Sequence, residues 1–286
     1  MVLYIIDAFS NKPFGGNPAG VVFYENITEI EMQLTARELG FSETAFIKQE
    51  YPNTFNIRFF TPNSEVDLCG HASIASIKAA LDMSLVNYNK PCYITTKAGM
   101  LEVHIENDSI LLEQASPILE GIIDDIKTLS DIMGIHQNEV GDLKYNLLPR
   151  IASTGLKDIM FPVKTQKSLN DINPDFKRLA KYSDDKGVVG VHAFTLETTD
   201  FTACCRNFAP LYAIDEEAAT GTSNGALTYY LYTNNVIKDF NLDYRFQQGV
   251  KMMRPSIITS RIINDNSIKI LVGGPASILS KGELFL

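Results

Sequence analysis

One local pattern is written twice along this chain, and that repetition limits the fold more than any other feature. The first copy is Arg58-Phe59-Phe60-Thr61-Pro62, followed by Asp67-Leu68-Cys69-Gly70-His71-Ala72-Ser73 and an apolar run, Ile74 to Leu81. The second is Arg206-Asn207-Phe208-Ala209-Pro210, followed by Ala219-Thr220-Gly221-Thr222-Ser223-Asn224-Gly225 and the run Ala226 to Tyr232. The shared grammar is R-x-F-x-P, a short spacer, a glycine among small polar residues, and a helix start. Ser42-Glu43-Thr44-Ala45-Phe46-Ile47 likewise has a counterpart in Gly190-Val191-His192-Ala193-Phe194-Thr195, ahead of each R-x-F-x-P. A repeat of so long a period is no solenoid; it predicts two similar halves facing each other. The glutamate occurs in the first copy only, and chemistry on a duplicated scaffold is expected where the halves differ.

Short apolar or alternating runs rich in Ile, Val, Phe, Tyr and Thr predict strands, among them Val2 to Asp7, Thr44 to Lys48, Asn56 to Phe60, Gly190 to Leu196 and Phe201 to Arg206. Helices are expected at Ile30 to Leu39, Ala72 to Met83, Ile122 to Met133 and Ser223 to Asn234. Strands outnumber helices by about three to one and come in runs, which predicts an α+β fold with antiparallel sheets and not a doubly wound parallel one. The turn-forming stretch Ala115 to Asp125 marks the boundary between halves. The expected organisation is an N-terminal half, 1–115, completed by about 275–286, and a C-terminal half, 116–274. The closing hydrophobes Leu284, Phe285 and Leu286 are expected to be buried against the first half.

Bulk properties narrow the function. A net charge of −9 over 286 residues argues against a nucleic-acid partner. No apolar run reaches the roughly 18 residues that a membrane span needs, and Met1 to Asp7 reads as a first strand and not a signal peptide, so the cytoplasm is the expected location. Four cysteines form neither a C-x-x-C pair nor a metal spacing with the histidines. Cys92, Cys204 and Cys205 read as buried small apolar residues.

Candidate chemistry gathers at the paired glycine turns. Two helix N-termini meeting at one cleft would offer unpaired N–H groups and positive dipole ends to a carboxylate. Glu43, at the start of an apolar strand, is a candidate general base; its bland alternative is an edge-strand glutamate in water. His71 could bind or shuttle protons, or simply be a satisfied residue near a helix cap. Cys69, at a helix N-terminus, is a candidate nucleophile or base. Its counterpart Thr220 is too weak an acid to oppose it, which disfavours a two-thiol racemase. Asp215, Glu216 and Glu217 form an acidic cluster whose bland reading is a solvated loop. Thr222 and Ser223 are expected as helix caps whose hydroxyls also face a ligand. Gly15-Gly16-Asn17-Pro18 is a turn signal, not a phosphate loop.

In order along the chain, Asp7-Ala8-Phe9, Gly16-Asn17-Pro18-Ala19, Ser42-Glu43-Thr44-Ala45-Phe46, Phe60-Thr61-Pro62, Glu65-Val66-Asp67-Leu68-Cys69-Gly70-His71-Ala72, Glu216-Glu217-Ala218-Ala219-Thr220-Gly221-Thr222, Gln248-Gly249, Arg254-Pro255-Ser256 and Val272-Gly273-Gly274-Pro275-Ala276 resemble the phenazine-biosynthesis PhzF family. The resemblance spans nearly the whole chain. It implies the diaminopimelate-epimerase fold: two pseudo-symmetric halves, each a sheet curled around a central helix, with the active site between them. It implies a homodimer and an isomerase that moves a proton on a small carboxylated substrate without metal or organic cofactor. The family's catalytic residues fall on Glu43 as base, His71 as substrate contact and Glu217 in place of an aspartate. Substrate binding falls on Asn17, Cys69, Gly70, Thr220, Gly221 and Thr222, the last in place of a serine. Thr222-Ser223-Asn224-Gly225 departs from the family's Ser-Ala-His form and resembles its uncharacterised branch. Glu43, His71, Glu217 and Thr222 are expected to line one pocket. The alternatives are an epimerase or dehydratase using Cys69 as base with Thr220 opposite, and a non-catalytic binding or interaction protein of the same fold.

Overall fold

A computed structural model describes residues 1–106 and 109–286 of the chain. The chain divides into two compact units, Met1–Glu113 with Gly273–Leu286, and Gln114–Val272.

In the first unit, β1 (Val2–Ala8), β2 (Asn17–Phe23), β3 (Thr44–Tyr51), β4 (Thr54–Phe60), β5 (Glu65–Val66), β6 (Cys92–Thr96), β7 (Gly99–Glu106) and β8 (Ser109–Glu113) are joined by the C-terminal strand, Ala276–Glu283. Pairing runs from the C-terminal strand through β1, β2, β3, β4, β6 and β7 to β8, with β5 beside the end of β4. Helix α1 (Glu29–Leu39) starts in a Thr28–Glu31 capping box and stops at Gly40, whose φ of 70° suits glycine. It covers one face of the sheet, packing Met32 and Ala36 against Val22, Phe46 and Phe60. Helix α2 (Gly70–Asp82) lies against β1, β2, β3, β4, β8 and the C-terminal strand, so both ends of the strand order reach it and the sheet curls around it. Its composition allows this. Nine of its residues, from His71 to Ala80, are buried, mostly alanines, serines and isoleucines, and a helix buried all round needs small or apolar side chains. The Ser73 and Ser76 hydroxyls donate back to the carbonyls of Cys69 and Ala72 at 2.7 Å, which satisfies them in the core.

The second unit repeats this plan. It holds β9 (Ile118–Ile122), β10 (Arg150–Ser153), β11 (Lys157–Pro162), β12 (Gly190–Thr195), β13 (Ala203–Ala209), β14 (Ile214–Glu217), β15 (Asp243–Gln248), β16 (Ser256–Asp265) and β17 (Ser267–Gly274). Pairing runs β9, β10, β11, β12, β13, β15, β16, with β14 beside β13. Helices α3 (Ile126–Met133), α4 (Gln166–Asp171) and α5 (Phe176–Lys186) lie on the outside, and α6 (Gly221–Thr233) is the central helix, touching strands from β9 to β16. The α+β fold of two similar halves, each curled around one helix, is therefore present. The sheets are mixed and not wholly antiparallel: β2–β3 and β4–β6 run parallel, and so do β11–β12 and β13–β15 at the corresponding places. Each parallel pair is bridged by a helical crossover, which short hairpin reasoning does not anticipate.

Helices α4 and α5 were not expected from the sequence. The signals were there for α5: Asp175 caps its N-terminus, accepting from the Arg178 amide, and Leu179 and Tyr182 repeat at helical spacing. Five strands were also missed, namely β5, β9, β10, β14 and β15; each is short or polar.

The register corrects the internal alignment as well. Phe46 stands opposite Arg58, whereas Ala193, not Phe194, stands opposite Arg206. Phe46 packs under α1, Ala193 packs with Leu129 and Leu179 of the outer helices, and Phe194 meets Tyr230 of α6. A one-residue shift moves a side chain to the other face of a sheet, so matching the two Ala-Phe dipeptides is wrong. Counted from the arginines, Gly190 and not Val191 occupies the place of Glu43. A Cβ at Gly190 would lie 1.9 Å from the Phe208 carbonyl oxygen. The second unit has no room for a glutamate there.

The R-x-F-x-P arginines have one role in both units. Arg58 grips Glu65 through Nε and Nη2, both at 2.7 Å, and Arg206 grips Glu216 at 2.8 and 2.7 Å. Each guanidinium also lies over the phenylalanine two residues on, at 5.2 Å for Phe60 and 4.8 Å for Phe208. Glu216 is thus a structural anion, not part of a solvated cluster. Arg206 further donates to the Leu169 and Ile172 carbonyls at the end of α4. Replacing Arg206 by Ala should cost about 3–5 kcal/mol, because it strands a partly buried carboxylate and two carbonyls. Arg58→Ala, at a more exposed pair, should cost about 1–2 kcal/mol. Chemical denaturation of both variants checks the order; equal losses would contradict it.

The C-terminal strand pairs with β1 from Val2–Glu283 to Ala8–Ala276, and Met1 and Leu284 exchange backbone hydrogen bonds at 2.9 and 2.8 Å. Lys281 reaches Asp82 at 3.0 Å and lies over the Tyr4 ring. Only Leu284 of the closing hydrophobes packs into the unit; Phe285 and Leu286 are 84% and 66% exposed, contrary to the expected burial, because the ladder with β1 and the apolar packing both stop at Leu284. Deleting Phe285 and Leu286 should leave the melting temperature within about 2 °C of wild type. Deleting 282–286, which also removes pairing to Val2 and Leu3, should cost about 2–4 kcal/mol. Thermal denaturation of the two truncations is the check.

Candidate active site

In the first unit the candidate residues come from three places. Asn17 opens β2 after a tight loop in which Asp7, wholly buried, accepts from the Phe14 amide at 2.8 Å. Gly16 is required there: its φ is +63° and a Cβ would meet the Ala8 oxygen at 2.0 Å. Ser42 and Glu43 sit just ahead of β3. Cys69 is the N-cap of α2, and Gly70 and His71 begin that helix. Gly70 differs from Gly16: its φ is not in the left-handed region, and a Cβ there would touch nothing within 4 Å.

His71 is the hub. Glu43 Oε2 lies 3.3 Å from Nε2, and Ser42 Oγ lies 3.5 Å from the same nitrogen. On the other side, Asn17 Nδ2 is 3.5 Å and Cys69 Sγ 3.4 Å from Nδ1. The imidazole is 7% exposed and the Glu43 side chain 21%. Burial pushes the His71 pKa below its usual value, with the Glu43 charge opposing, so the ring is neutral near pH 7. A neutral ring carries one N–H, which suits a donor to the carboxylate that leaves a Glu43 oxygen exposed. The sequence pattern singled out Asn17, Glu43, Cys69, Gly70 and His71, and the structure brings them together; Ser42 belongs with them and had been given no role.

The second unit carries its own polar cluster around the start of α6. Thr220 is the N-cap, without a side-chain cap, and Thr222 and Ser223 lie inside the helix, contrary to the expectation that they cap it. The capping acceptor comes from β15: Gln248 Oε1 accepts from the Thr220 amide at 3.3 Å and from Asn224 at 2.9 Å. Its Nε2 donates to the Glu217 carbonyl at 2.8 Å and to Thr220 Oγ1 at 3.1 Å. The Thr220 hydroxyl donates to the Glu217 carboxylate at 3.0 Å. Thr222 accepts through its carbonyl from Thr154 Oγ1 at 2.9 Å. Gln248, wholly buried before a glycine of positive φ, was quoted in the motif without a role; an amide at the end of a strand was the signal.

Deeper in this unit, Ser223 donates to Asp158 and accepts from Asn207, which also reaches His192 Nδ1 at 3.3 Å. Burial pushes Asp158 up to about 6, partly offset by hydrogen bonds from Ser223 and the Gly190 amide. Burial pushes His192 down to about 3, with Asn224 opposing. The four cysteines are buried and form no disulfide among the described residues, and burial pushes the Cys92 thiol up to about 11.

Comparison with known proteins fixes the class. The family of the phenazine biosynthesis-like protein (PhzC-PhzF) matches residues 6–282, and the chain belongs to it. An uncharacterized isomerase of Clostridium acetobutylicum is 35% identical over 99% of this chain and 98% of its own. The crystal structure of a Bacillus anthracis PhzF-family phenazine biosynthesis protein superposes with a TM-score of 0.90 at 28% identity, covering 100% of this chain and 99% of that one. A hydroxyproline epimerase of Agrobacterium vitis shares the fold at a TM-score of 0.60 and 11% identity, covering 99% and 91% of the two chains. The protein is an enzyme of the PhzF-like isomerase type, with an epimerase-like fold. No helix among the described residues is long and apolar enough to cross a membrane.

Asp158 gives a pH test. Its folded pKa of about 6 lies above the ordinary 3.8, so its contribution is fully present below pH 4 and is lost as the pH rises through 6. The loss is about 2–4 kcal/mol. Asp158→Asn removes that dependence, so the variant's melting temperature should rise relative to wild type between pH 5 and pH 8. A difference independent of pH would contradict this.

Proposed function

We propose that the protein is a cofactor-independent isomerase that moves a proton on a small carboxylated substrate, with Glu43 as the general acid/base. The observation that supports this is the 3.3 Å contact of Glu43 with a buried His71, which orients a carboxylate that stays partly open to a ligand. In the proposed reaction the Glu43 carboxylate takes a proton from a carbon acidified by its neighbours. The electron pair shifts along the conjugated system, and the protonated Glu43 returns the proton to another carbon, with no net oxidation. Such a base must come within hydrogen-bond reach of the C–H, and donors must meet the charge that develops. Neutral His71 and Ser42 are the donors beside Glu43, with Asn17 on the other side of the imidazole. Glu217, Thr220, Gly221 and Thr222 are assigned to substrate contact. Glu for Asp at 217 and Thr for Ser at 222 keep the functional groups while changing reach and bulk, which supports a substrate other than the family's best-understood one. The net charge of −9 supports the absence of a nucleic-acid partner, and the same reading has the enzyme as a cytoplasmic homodimer.

A second reading rests on Cys69. Its sulfur lies 3.4 Å from His71 Nδ1, a thiol–imidazole pair that could serve as the base of an epimerase or dehydratase. Incubation with candidate acids in heavy water, followed by mass spectrometry for deuterium uptake, separates the two. Glu43→Gln should lower exchange about 10²–10⁴-fold while the fold and ligand binding persist. Full exchange in that variant, with loss in Cys69→Ser, would move the base role to the thiol.

A further inference from the structure

Gln248 is wholly buried, and every hydrogen bond it makes from its side chain lands on one short segment, 217–224. We propose that Gln248 is a positioning residue for Glu217, acting through the Thr220 hydroxyl; that Glu217 meets the substrate rests on the function proposed above. The chain of contacts runs from Gln248 Nε2 to Thr220 Oγ1 at 3.1 Å, and from Thr220 Oγ1 to the Glu217 carboxylate at 3.0 Å.

The backbone fixes the direction of that chain. The Thr220 amide can only donate, and it meets Gln248 Oε1 at 3.3 Å; the Glu217 carbonyl can only accept, and it meets Nε2 at 2.8 Å. Turning the side-chain amide over would set N–H against N–H and oxygen against oxygen, so the nitrogen must face the Thr220 hydroxyl. A hydroxyl carries one proton and two lone pairs. With Gln248 donating into a lone pair, the proton is left for Glu217, and the carboxylate is held at the head of α6. Asn224 supports the arrangement from the next turn, donating to Gln248 Oε1 and to the Thr220 carbonyl, both at 2.9 Å. Hydrogen bonds in a buried chain of this kind strengthen one another.

The duplicated frame supplies the comparison. Glu217 pairs with Asn207, one residue after Arg206, and Val66 pairs with Phe59, one residue after Arg58, so Val66 holds the place of Glu217 in the first unit. Phe246 pairs with Ala203 and Ile94 with Phe55, each three residues before its arginine, so Thr96 holds the place of Gln248. The Thr96 hydroxyl donates to the Gly99 carbonyl within its own hairpin. The first unit therefore lacks the acid and the amide together, although its central helix begins at the matching glycine, Gly70. A glutamine needed only to cap a central helix would serve both units; one needed to hold the acid belongs where the acid is.

The test needs no substrate. It follows the carbon-13 resonance of the Glu217 carboxyl in the full-length protein, assigned from its loss in Glu217→Gln. Thr220→Val should move that resonance, and Thr220→Ser, which keeps a hydroxyl, should leave it near the wild-type position. Gln248→Met should move it in the same direction as Thr220→Val. In a Thr220→Val background the same substitution should add little, because the amide acts through the hydroxyl. Circular dichroism confirms that each variant is folded. If Gln248→Met is not, the side-chain amide protons of Gln248 are followed in Thr220→Val, and they should move together with the Glu217 carboxyl. A Glu217 resonance unmoved in Thr220→Val or in folded Gln248→Met, or a Gln248→Met effect of full size without the hydroxyl, would overturn the proposal and leave Gln248 as a helix cap. Spectra as expected beside unaltered deuterium exchange in the same variants would keep Gln248 as the residue that positions Glu217 and refute Glu217 as a substrate contact.

Discussion

The bidentate grip of Arg58 on Glu65, and of Arg206 on Glu216, is the interaction on which each unit depends. In both, an arginine on a strand beside the central helix holds the acid that precedes that helix, so the segment carrying the glycine turn is fixed at its far end. The pairs are partly buried, with side-chain exposures of 24% and 9% for Arg58 and Glu65 and of 8% and 15% for Arg206 and Glu216. Partly buried ion pairs add little net stability over apolar substitutes, but breaking one is costly. Their value here is positional. Cys69 and Thr220 follow the gripped acids within four residues, and the central helices begin there. In the first unit the grip extends to Glu29 of α1 and Lys97; in the second it extends to the last carbonyls of α4.

The two helix starts are finished differently on this common frame. In the first unit the residues around the turn are Asn17, Ser42, Glu43 and Cys69, all within about 3.5 Å of one buried imidazole. In the second, Gln248 satisfies the Thr220 amide and binds Glu217 and Asn224, while His192 lies deeper, surrounded by neutral partners. Both imidazoles lose affinity for a proton through burial, but only His71 has a carboxylate beside it. The carboxylate–imidazole contact therefore belongs to the first unit, and an amide-rich cluster to the second.

That asymmetry has a steric cause. Gly190 stands where Glu43 stands in the other unit, and the Phe208 carbonyl passes so close that no side chain fits. The outer layer there is built from α3 and α5, where the first unit has α1. A duplicated frame can thus hold one glutamate at this place without selecting against a second, because backbone packing removes the space.

How much of this was legible in the chain differs from residue to residue. The repeat itself, the strand and helix character of most segments, and the grouping of Asn17, Glu43, Cys69, Gly70 and His71 as candidate site residues could be read from local pattern and motif. Those depend on periodicity, on glycine and on residue type, which a sequence states outright. The pairing of Arg206 with Glu216, the capping of Thr220 by a glutamine far along the chain, the mixed sheet and the exposed end at Phe285 could not. Nor could the one-residue offset that sets Gly190, not Val191, against Glu43, because strand register is set by which face meets the core. The sequence by itself determined which chemical groups exist and that they come in two matching sets. The tertiary structure alone decided which of them touch, because hydrogen bonds and ion pairs form between residues that chain order keeps apart.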